Sequence, residues 1–293
     1  MSNKTYSQRL NDVIPGGAHT YSRGDDQFPD NAPEILVRGI GSRVYDPQGT
    51  EYLDYGMALR AVTLGYSNNR VNAAAIQAIE HGNGLTRASM VELEAAELLV
   101  DCVRSVDMVK FTKNGSSATS AAVKLARAYT GRDIVLRCAQ HPFFSYDDWF
   151  IGSTPIKRGI PEQISSLTKT FDFNNITSLA GLIKDYPGQI SCVIMEPVGL
   201  QCPLVTPDGL CCGQAKCKMK DHDNFLQQVE AVCRLNGIIF ILDETITGFR
   251  WGVGGAQERF NVSPDLTTFG KGMANGFSVA AVGGKRDIME LGS

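Results

Sequence analysis

The sequence predicts an α/β protein built around a doubly wound, mostly parallel sheet. Along its 293 residues, short apolar runs alternate with helical patterns of about a dozen residues. Two of the runs, residues 191–198 and 237–244, have the composition of strands that are covered on both faces. Three of the helical patterns end in a glycine, a common stop signal for a helix. Strands that alternate with helices in this way form a parallel sheet, because each helix returns the chain across one face.

Residues 1–65 are expected to form an irregular N-terminal segment that contains a helix and a hairpin. Turn signals recur there in IPGG, RGDDQFPDNAP and DPQG. The hairpin is predicted at residues 42–56, SRVYDPQGTEYLDYG, where two alternating runs flank a turn at residues 46–49.

Residues 66–293 are expected to form the large α/β domain. We predict helices over residues 71–82, 91–105, 117–131 and 223–237, and strands over residues 108–115, 133–138, 191–198, 237–244, 265–271 and 278–284. No internal repeat and no low-complexity segment interrupts this pattern.

Composition and charge exclude several classes of partner. The net charge is −3 and the chain has no long basic run, which argues against nucleic acid or an anionic membrane as the main partner. The polar start MSNKTYSQRLND predicts no signal peptide. The chain contains no apolar stretch of about 18 residues, so no transmembrane helix is predicted. We therefore expect a cytoplasmic protein.

The eight cysteines fall into two groups. Four lie in apolar runs and are expected to be reduced core residues: Cys102, Cys138, Cys192 and Cys233. The others lie in a polar, glycine-containing stretch: Cys202, Cys211, Cys212 and Cys217. Paired CxxC spacing is absent, so we expect no metal ion and interpret these cysteines as incidental. A redox-sensitive loop and a metal site that regulates the protein remain the other interpretations.

Three polar groups follow predicted strands, at the edge of a parallel sheet where ligands bind. Asn114, Gly115 and Ser116 open a helix, whose free N–H groups and dipole attract anions such as phosphate. An ordinary helix cap is the alternative interpretation. Asp243 ends an apolar strand, where a buried carboxylate needs a cation or several hydrogen bonds. A cap or a structural salt bridge would also explain it.

Lys271 stands at the end of another strand, between two glycines. A desolvated lysine has a lowered pKa and can act as a nucleophile, whereas the alternative is a side chain that reaches out to solvent. Together the three groups suggest one ligand with a phosphate, a basic nitrogen and a carbonyl. Pyridoxal 5′-phosphate has these three groups.

The segment ILDETITGFRWGVGGAQERFNVSPDLTTFGKGMANGFSVAAVGG resembles class III pyridoxal-phosphate aminotransferases, and within them the glutamate-1-semialdehyde 2,1-aminomutase group. The resemblance extends to IPGGAHTYSRG, MVKFTKNGSSATSAAVKLARAYTGRD and VIMEPVG. It implies the fold-type I architecture, a seven-stranded, mostly parallel sheet with helices on both faces. It also implies a cytoplasmic homodimer, and a small C-terminal domain in longer relatives that this chain is expected to lack.

The resemblance assigns roles to individual residues. Lys271 is expected to hold the cofactor as an imine and to move the substrate proton, and Asp243 to bond the pyridine nitrogen. Asn114, Gly115 and Ser116 are expected to bind the phosphate. Thr245, at a position where the family usually has valine, and Glu196, at the end of the EP strand, are expected beside the cofactor. Arg23 and Thr20 are expected to bind the substrate.

Two positions depart from the family pattern. The family commonly has Tyr-His-Gly where this chain has HPFFSYDDWF, which makes Phe143 the expected ring-stacking aromatic and places Phe144 at the histidine. A tryptophan of the aminomutase corresponds here to Leu59. The resemblance therefore implies amino-group transfer on a small aldehyde or keto substrate by an aminomutase-like enzyme. An aminotransferase with another carbonyl substrate, for example in surface-polysaccharide synthesis, and an inactive remnant that binds or dimerises are the alternatives.

Overall fold

A computed structural model describes residues 4–203 and 224–292 of the chain. The chain divides into two compact units, one up to Gly84 and one from Leu85 onward. None of the helices in the described ranges is both long enough and apolar enough to cross a membrane.

The first unit consists of short elements joined by turns. Its helices and strands are α1 (Tyr6–Val13), β1 (Arg38–Ile40), β2 (Arg43–Tyr45), β3 (Glu51–Leu53), α2 (Met57–Arg60) and α3 (Asn69–Glu80). The predicted hairpin is confirmed, since β2 and β3 are antiparallel and the N–H of Gly49 donates to the carbonyl of Asp46 at 3.1 Å. β1 adds a third strand to it, which was not predicted.

α2 is a single turn with an unusual backbone. All its residues have positive φ, from +47° at Met57 to +68° at Arg60. L-residues with side chains avoid this left-handed region at a cost of about 1–2 kcal/mol each. Glycine is the usual residue there, and this turn has none.

The second unit contains a seven-stranded sheet. Its strands are β4 (Met108–Thr112), β5 (Ile134–Cys138), β6 (Thr168–Phe171), β7 (Ile190–Met195), β8 (Ile239–Asp243), β9 (Leu266–Phe269) and β10 (Ala280–Gly284). Its helices are α4 (Met90–Cys102), α5 (Gly115–Thr130), α6 (Asp148–Ile151), α7 (Glu162–Ser165), α8 (Ile176–Asp185), α9 (Phe225–Asn236), α10 (Gly255–Phe260) and α11 (Arg286–Met289).

The sheet has the order β4-β10-β9-β8-β7-β5-β6. β10 is antiparallel to both of its neighbours, and the other neighbouring pairs are parallel. The prediction of a mostly parallel sheet with seven strands is therefore confirmed. The carboxyl ends of β4, β5, β7, β8 and β9 lie at one edge, which is where the candidate functional residues follow their strands.

Helices cover both faces of the sheet, as predicted. In β7, Val193 and Met195 belong to a core cluster with residues of α8 and α9 on one face. Cys192 and Ile194 belong to a second cluster with residues of α5 and α6 on the other face. This alternation within one apolar strand is what burial on both faces requires.

Each predicted helix and strand of the second unit is present, with ends shifted by a few residues. Among the elements of the described ranges, one strand, β6, and five helices were missed: α6, α7, α8, α10 and α11. Three of the four residues of the strand TKTF are polar, and the hydroxyl of its buried Thr168 donates to the carbonyl of Trp149 at 2.7 Å. Such a strand has no apolar run for a sequence pattern to detect.

Candidate active site

Asp243, the last residue of β8, is buried with an exposed fraction of 4%. Its Oδ1 accepts hydrogen bonds from the backbone N–H of Thr245 at 2.9 Å and from the hydroxyl of Thr268 at 2.8 Å. Its other carboxylate oxygen accepts none from the residues that the structure describes. Burial raises the pKa of Asp243, while hydrogen bonds from Thr245 and Thr268 and the charge of Lys271 oppose that rise. The carboxylate is thus fixed on one side and open to a donor on the other.

Thr245 joins three parts of the site. A methyl group added at Gly115 would lie 3.1 Å from Thr245 Cγ2, and one added at Gly270 would lie 3.2 Å from the same atom. Any larger residue at either glycine would push against Thr245. The start of α5, the end of β8 and the turn after β9 therefore meet around one side chain. The oxygen of the Thr245 hydroxyl is buried and has no hydrogen bond of normal geometry within the described ranges.

The start of α5 lies next to Thr245. Asn114 caps this 16-residue helix, and its Oδ1 accepts the N–H of Ser117 at 2.9 Å. The Asn114 side chain therefore has the cap role that was the alternative to phosphate binding. The N–H groups of Gly115 and Ser116 belong to the first turn of the helix, whose N–H groups have no acceptor within the helix. Ser278, in the loop after Lys271, donates its hydroxyl to the carbonyl of Lys113 at 2.8 Å and so ties that loop to the end of β4.

Lys271 begins a short 3₁₀ turn, Lys271–Ala274, just beyond β9. Because Thr268 of β9 lies opposite Asp243 of β8, the chain that carries Lys271 leaves the sheet beside Asp243. Burial raises the pKa of Asp243, and the positive charge of Lys271 is one of the contributions that oppose this rise. Lys271 has a φ of +44°, and such left-handed residues cluster at functional sites.

Glu196 follows β7 and is buried, with its backbone N–H donated to Nδ1 of His141 at 3.0 Å. This bond places the proton of a neutral imidazole on Nε2. Nε2 is also buried and has no partner in the described part of the chain. Burial lowers the pKa of His141 to about 4, with a further contribution from the charge of Arg137. His141 is a candidate site residue that the sequence pattern did not indicate, because only the sheet order brings the end of β5 beside the end of β7.

Phe143 and Phe144 differ in environment. Phe143 is 54% exposed. Its ring and that of Phe150 are in a T-shaped arrangement, with the ring centroids 5.6 Å apart. Phe144 is buried, and its carbonyl accepts the hydroxyl of Thr119 at 2.8 Å. Since Thr119 belongs to α5, the aromatic segment lies against the helix that begins at Gly115. Phe143 is thus the more accessible of the two rings.

Glu244, directly after Asp243, is fully buried in a polar network. Its carboxylate accepts the N–H groups of Ala256 at 2.6 Å and Gln257 at 3.0 Å, the side-chain amide of Gln257 at 3.1 Å and the hydroxyl of Thr247 at 3.1 Å. Burial raises its pKa, and these hydrogen bonds act against that rise. Glu244 therefore fixes the loop between β8 and α10, a role that the sequence pattern GGAQ did not reveal.

The remaining predicted residues belong to other segments of the chain. Thr20 and Arg23 belong to the first unit, where both are exposed and Arg23 ends a 3₁₀ turn, Tyr21–Arg23. Cys211, Cys212 and Cys217 lie outside the described residues. Within the described ranges, no group of His, Cys, Asp and Glu side chains is suited to a metal ion. Cys102, Cys138, Cys192 and Cys233 form no disulfide bond.

Comparison with known proteins identifies relatives of this architecture. The family model for class-III aminotransferases matches residues 26–293. A glutamate-1-semialdehyde 2,1-aminomutase from Sulfurihydrogenibium azorense is 35% identical over 267 residues, which cover 88% of this chain and 59% of that protein. An omega-transaminase from Sphaerobacter thermophilus superposes with a TM-score of 0.83 at 28% identity, covering 97% of this chain and 64% of that one. The PLP internal aldimine form of the FumI protein from Sphingopyxis sp. MTA144 gives a TM-score of 0.82 at 28% identity, covering 97% and 65%.

Proposed function

We propose an activity for this chain from the premise that it belongs to the class-III aminotransferase family. The activity is the transfer of an amino group to or from a small aldehyde or keto compound, with pyridoxal 5′-phosphate as cofactor. The chain spans 59% of the length of the aminomutase it matches. The activity is therefore a proposal, argued from the residues of this chain.

The observation that carries the proposal is the meeting of Asp243, Gly115 and Gly270 around Thr245. Pyridoxal 5′-phosphate has a phosphate, a ring nitrogen and an aldehyde. The N–H groups at the start of α5 suit the phosphate, and the open carboxylate oxygen of Asp243 suits a protonated ring nitrogen. Lys271, within electrostatic range of Asp243, supplies an amine for the aldehyde. The residues present therefore fit the cofactor.

In the proposed mechanism, the bound cofactor supplies an electron-withdrawing ring that stabilises negative charge on the substrate carbon. Asp243 stays ionised and keeps the ring nitrogen protonated, since a cationic partner favours the charged carboxylate. Lys271 Nζ takes the proton from the substrate carbon as general base and returns a proton as general acid. Such a positioned group contributes roughly 10²–10⁴-fold to the rate.

Supporting residues have proposed roles too. Asn114 orients the start of α5 so that Gly115 and Ser116 bind phosphate, and Glu196 and Phe143 line the ring. Arg23 and Thr20 of the first unit are proposed to bind the substrate. The guanidinium of Arg23 is exposed and matches a carboxylate or another anionic group.

For the substrate, we propose an amino-aldehyde of the kind named in the aminomutase relatives. An aminotransferase with a different carbonyl substrate is the second candidate. It is favoured by Phe143 and Leu59, because changed side chains beside a substrate change which substrates are accepted.

We also propose that the chain acts as a homodimer in the cytoplasm. The support for a dimer is α4, where Met90, Val91, Leu93 and Leu98 are each more than half exposed. The unpaired thiols of Cys138, Cys192 and Cys233 fit a reducing compartment.

A half-reaction tests the proposed function. The full chain is loaded with pyridoxamine 5′-phosphate and mixed with glutamate-1-semialdehyde, 2-oxoglutarate or other carbonyl compounds. Return of the visible absorbance of the carbonyl form identifies an amino acceptor. Return with glutamate-1-semialdehyde alone supports the aminomutase-like substrate. A chain that binds the cofactor but responds to no carbonyl compound contradicts amino transfer.

A further inference from the structure

The side chain of Thr245 is held in one orientation. Its backbone N–H donates to Asp243 Oδ1 at 2.9 Å, so the residue is tied to the carboxylate by its own main chain. Its Cγ2 lies where a methyl group at Gly115 or Gly270 would come within 3.1 or 3.2 Å. Rotation about χ1 is stiff for a β-branched residue.

The hydroxyl of Thr245 differs from the other buried threonine hydroxyls in the described part of this unit. Thr119 donates to the carbonyl of Phe144 at 2.8 Å, Thr168 to the carbonyl of Trp149 at 2.7 Å and Thr268 to Asp243 at 2.8 Å. The oxygen of Thr245 is buried as they are, yet it has no hydrogen bond of normal geometry within the described ranges. A buried hydroxyl without a partner destabilises a protein, and its presence in a site calls for an explanation.

A candidate acceptor is the carboxylate of Asp243, to which the N–H of the same residue already donates. Burial raises the pKa of Asp243, and the Thr245 hydroxyl is among the groups that oppose that rise. A small shift of the hydroxyl proton or of the carboxylate would complete the bond. A charged carboxylate attracts a hydroxyl donor more strongly than a neutral one. The bond is therefore expected when Asp243 is ionised and holds a cationic partner.

We propose that Thr245 is a positioning residue for Asp243, whose buried hydroxyl donates a further hydrogen bond to the carboxylate when that carboxylate holds the cofactor ring. The inference rests on the proposed function, because it gives Asp243 its cationic partner. With this bond, one carboxylate accepts three donors from two residues. They are the N–H and the hydroxyl of Thr245 and the hydroxyl of Thr268. They favour its ionised form.

The test is a double-mutant cycle on cofactor affinity, measured by equilibrium dialysis of the full chain against pyridoxal 5′-phosphate. Thr245→Val keeps the shape of the side chain and removes the hydroxyl. We expect it to weaken binding about tenfold, which corresponds to about 1.4 kcal/mol. Thr245→Ser keeps the hydroxyl and should bind within about twofold of the unaltered chain. In an Asp243→Asn background, Thr245→Val should have almost no further effect, because the charged acceptor is gone.

The controls separate this inference from the proposed function. Thr168→Val removes an equally buried hydroxyl far along the sheet, and should lower thermal stability while leaving cofactor affinity unchanged. Equal weakening by Thr245→Val in both backgrounds would show that the hydroxyl does not act through Asp243. Unchanged affinity in the unaltered background would show that the bond does not form, and either result overturns the inference. Failure of the unaltered chain to bind the cofactor would instead contradict the proposed function.

Discussion

The hydroxyl of Thr268 donates to Asp243 Oδ1 at 2.8 Å, across the parallel pair of β8 and β9. The two residues lie directly opposite each other in the register. The bond therefore couples the position of the carboxylate to the strand that leads to Lys271. A shift of either strand by one residue would break it, since successive side chains point to opposite faces.

Replacement of Asp243 by asparagine should separate charge from shape. Asparagine keeps an oxygen for the donors Thr245 and Thr268 but cannot become negatively charged. We expect amino transfer to fall at least about 10²-fold, because the ring nitrogen loses its charged partner. Stopped-flow measurement of the half-reaction checks this, with the exposed Asp101→Asn of α4 as control. A rate close to that of the unaltered chain would remove Asp243 from the mechanism.

The same variant has a consequence for stability. Burial raises the pKa of Asp243 above its usual value, so the folded chain without cofactor binds the proton more tightly than the unfolded chain. The contribution of Asp243 to stability is then largest at low pH. It falls as the pH rises from the usual pKa of an aspartate in the unfolded chain towards the raised pKa in the folded chain. Asp243→Asn should therefore not lower the free energy of unfolding of the cofactor-free chain at pH 7. A urea titration that shows a clear loss would contradict this.

His141 should make the folded chain sensitive to acid. Burial lowers its pKa to about 4, whereas the unfolded value is about 6.5. The contribution of His141 to the free energy of unfolding is fully present above about pH 6.5. It is lost as the pH falls towards 4, by about 3 kcal/mol at most. His141→Asn keeps an acceptor for the N–H of Glu196 and removes the titrating ring. Unfolding free energies from pH 7 to 4 should fall less steeply in this variant than in the control His81→Asn, which alters an exposed histidine. Equal slopes would contradict the prediction.

Glu244 should be needed for a stable loop between β8 and α10. Glu244→Ala leaves the N–H groups of Ala256 and Gln257 and the amide of Gln257 without their acceptor in a buried place. The expected loss of stability is about 3 kcal/mol or more. Thermal denaturation checks this against Glu94→Ala, an exposed position on α4, where the change should be small. Similar melting temperatures for the two variants would mean that the network contributes little.

The left-handed turn α2 should be relieved by glycine. Ala58 has a φ of +50°, which glycine adopts without steric cost. Ala58→Gly should raise the free energy of unfolding by about 0.5–1 kcal/mol. Ala74→Gly, at an exposed position of the right-handed helix α3, should lower it by about 1 kcal/mol. Denaturant titrations that give both variants the same sign would show that the positive φ at Ala58 carries no strain.

Much of the sheet could be predicted because its strands are apolar runs closed by glycines and polar residues. β7 and β8 are buried along their whole length, and that burial appears directly in their composition. β6 could not be predicted, because its buried Thr168 depends on a carbonyl acceptor from α6. Local pattern contains no information about such a distant partner.

The candidate site could be predicted in part. Asp243 and Lys271 follow strands, so their shared edge was implied by a parallel sheet. Thr268 and His141 acquire their meaning only from the neighbours that the sheet order gives them, β8 for Thr268 and β7 for His141. The hydroxyl of Thr245 is notable only for the hydrogen bond it lacks, which no sequence pattern records.

Lys271 should be required for amino transfer. Lys271→Ala removes both the amine that binds the cofactor aldehyde and the group proposed to move the substrate proton. Turnover should be abolished, while Lys124→Ala, an exposed lysine of α5, should leave it unchanged. Retained amino transfer in Lys271→Ala would mean that another group performs the chemistry.

The most direct test of the account maps the site of cofactor attachment. The full chain is incubated with pyridoxal 5′-phosphate, treated with borohydride to make any imine permanent, and digested for peptide mass spectrometry. We expect the cofactor's added mass on the peptide that contains Lys271, at about one group per chain. Attachment at another lysine, or attachment spread over exposed lysines with none favoured, would contradict it.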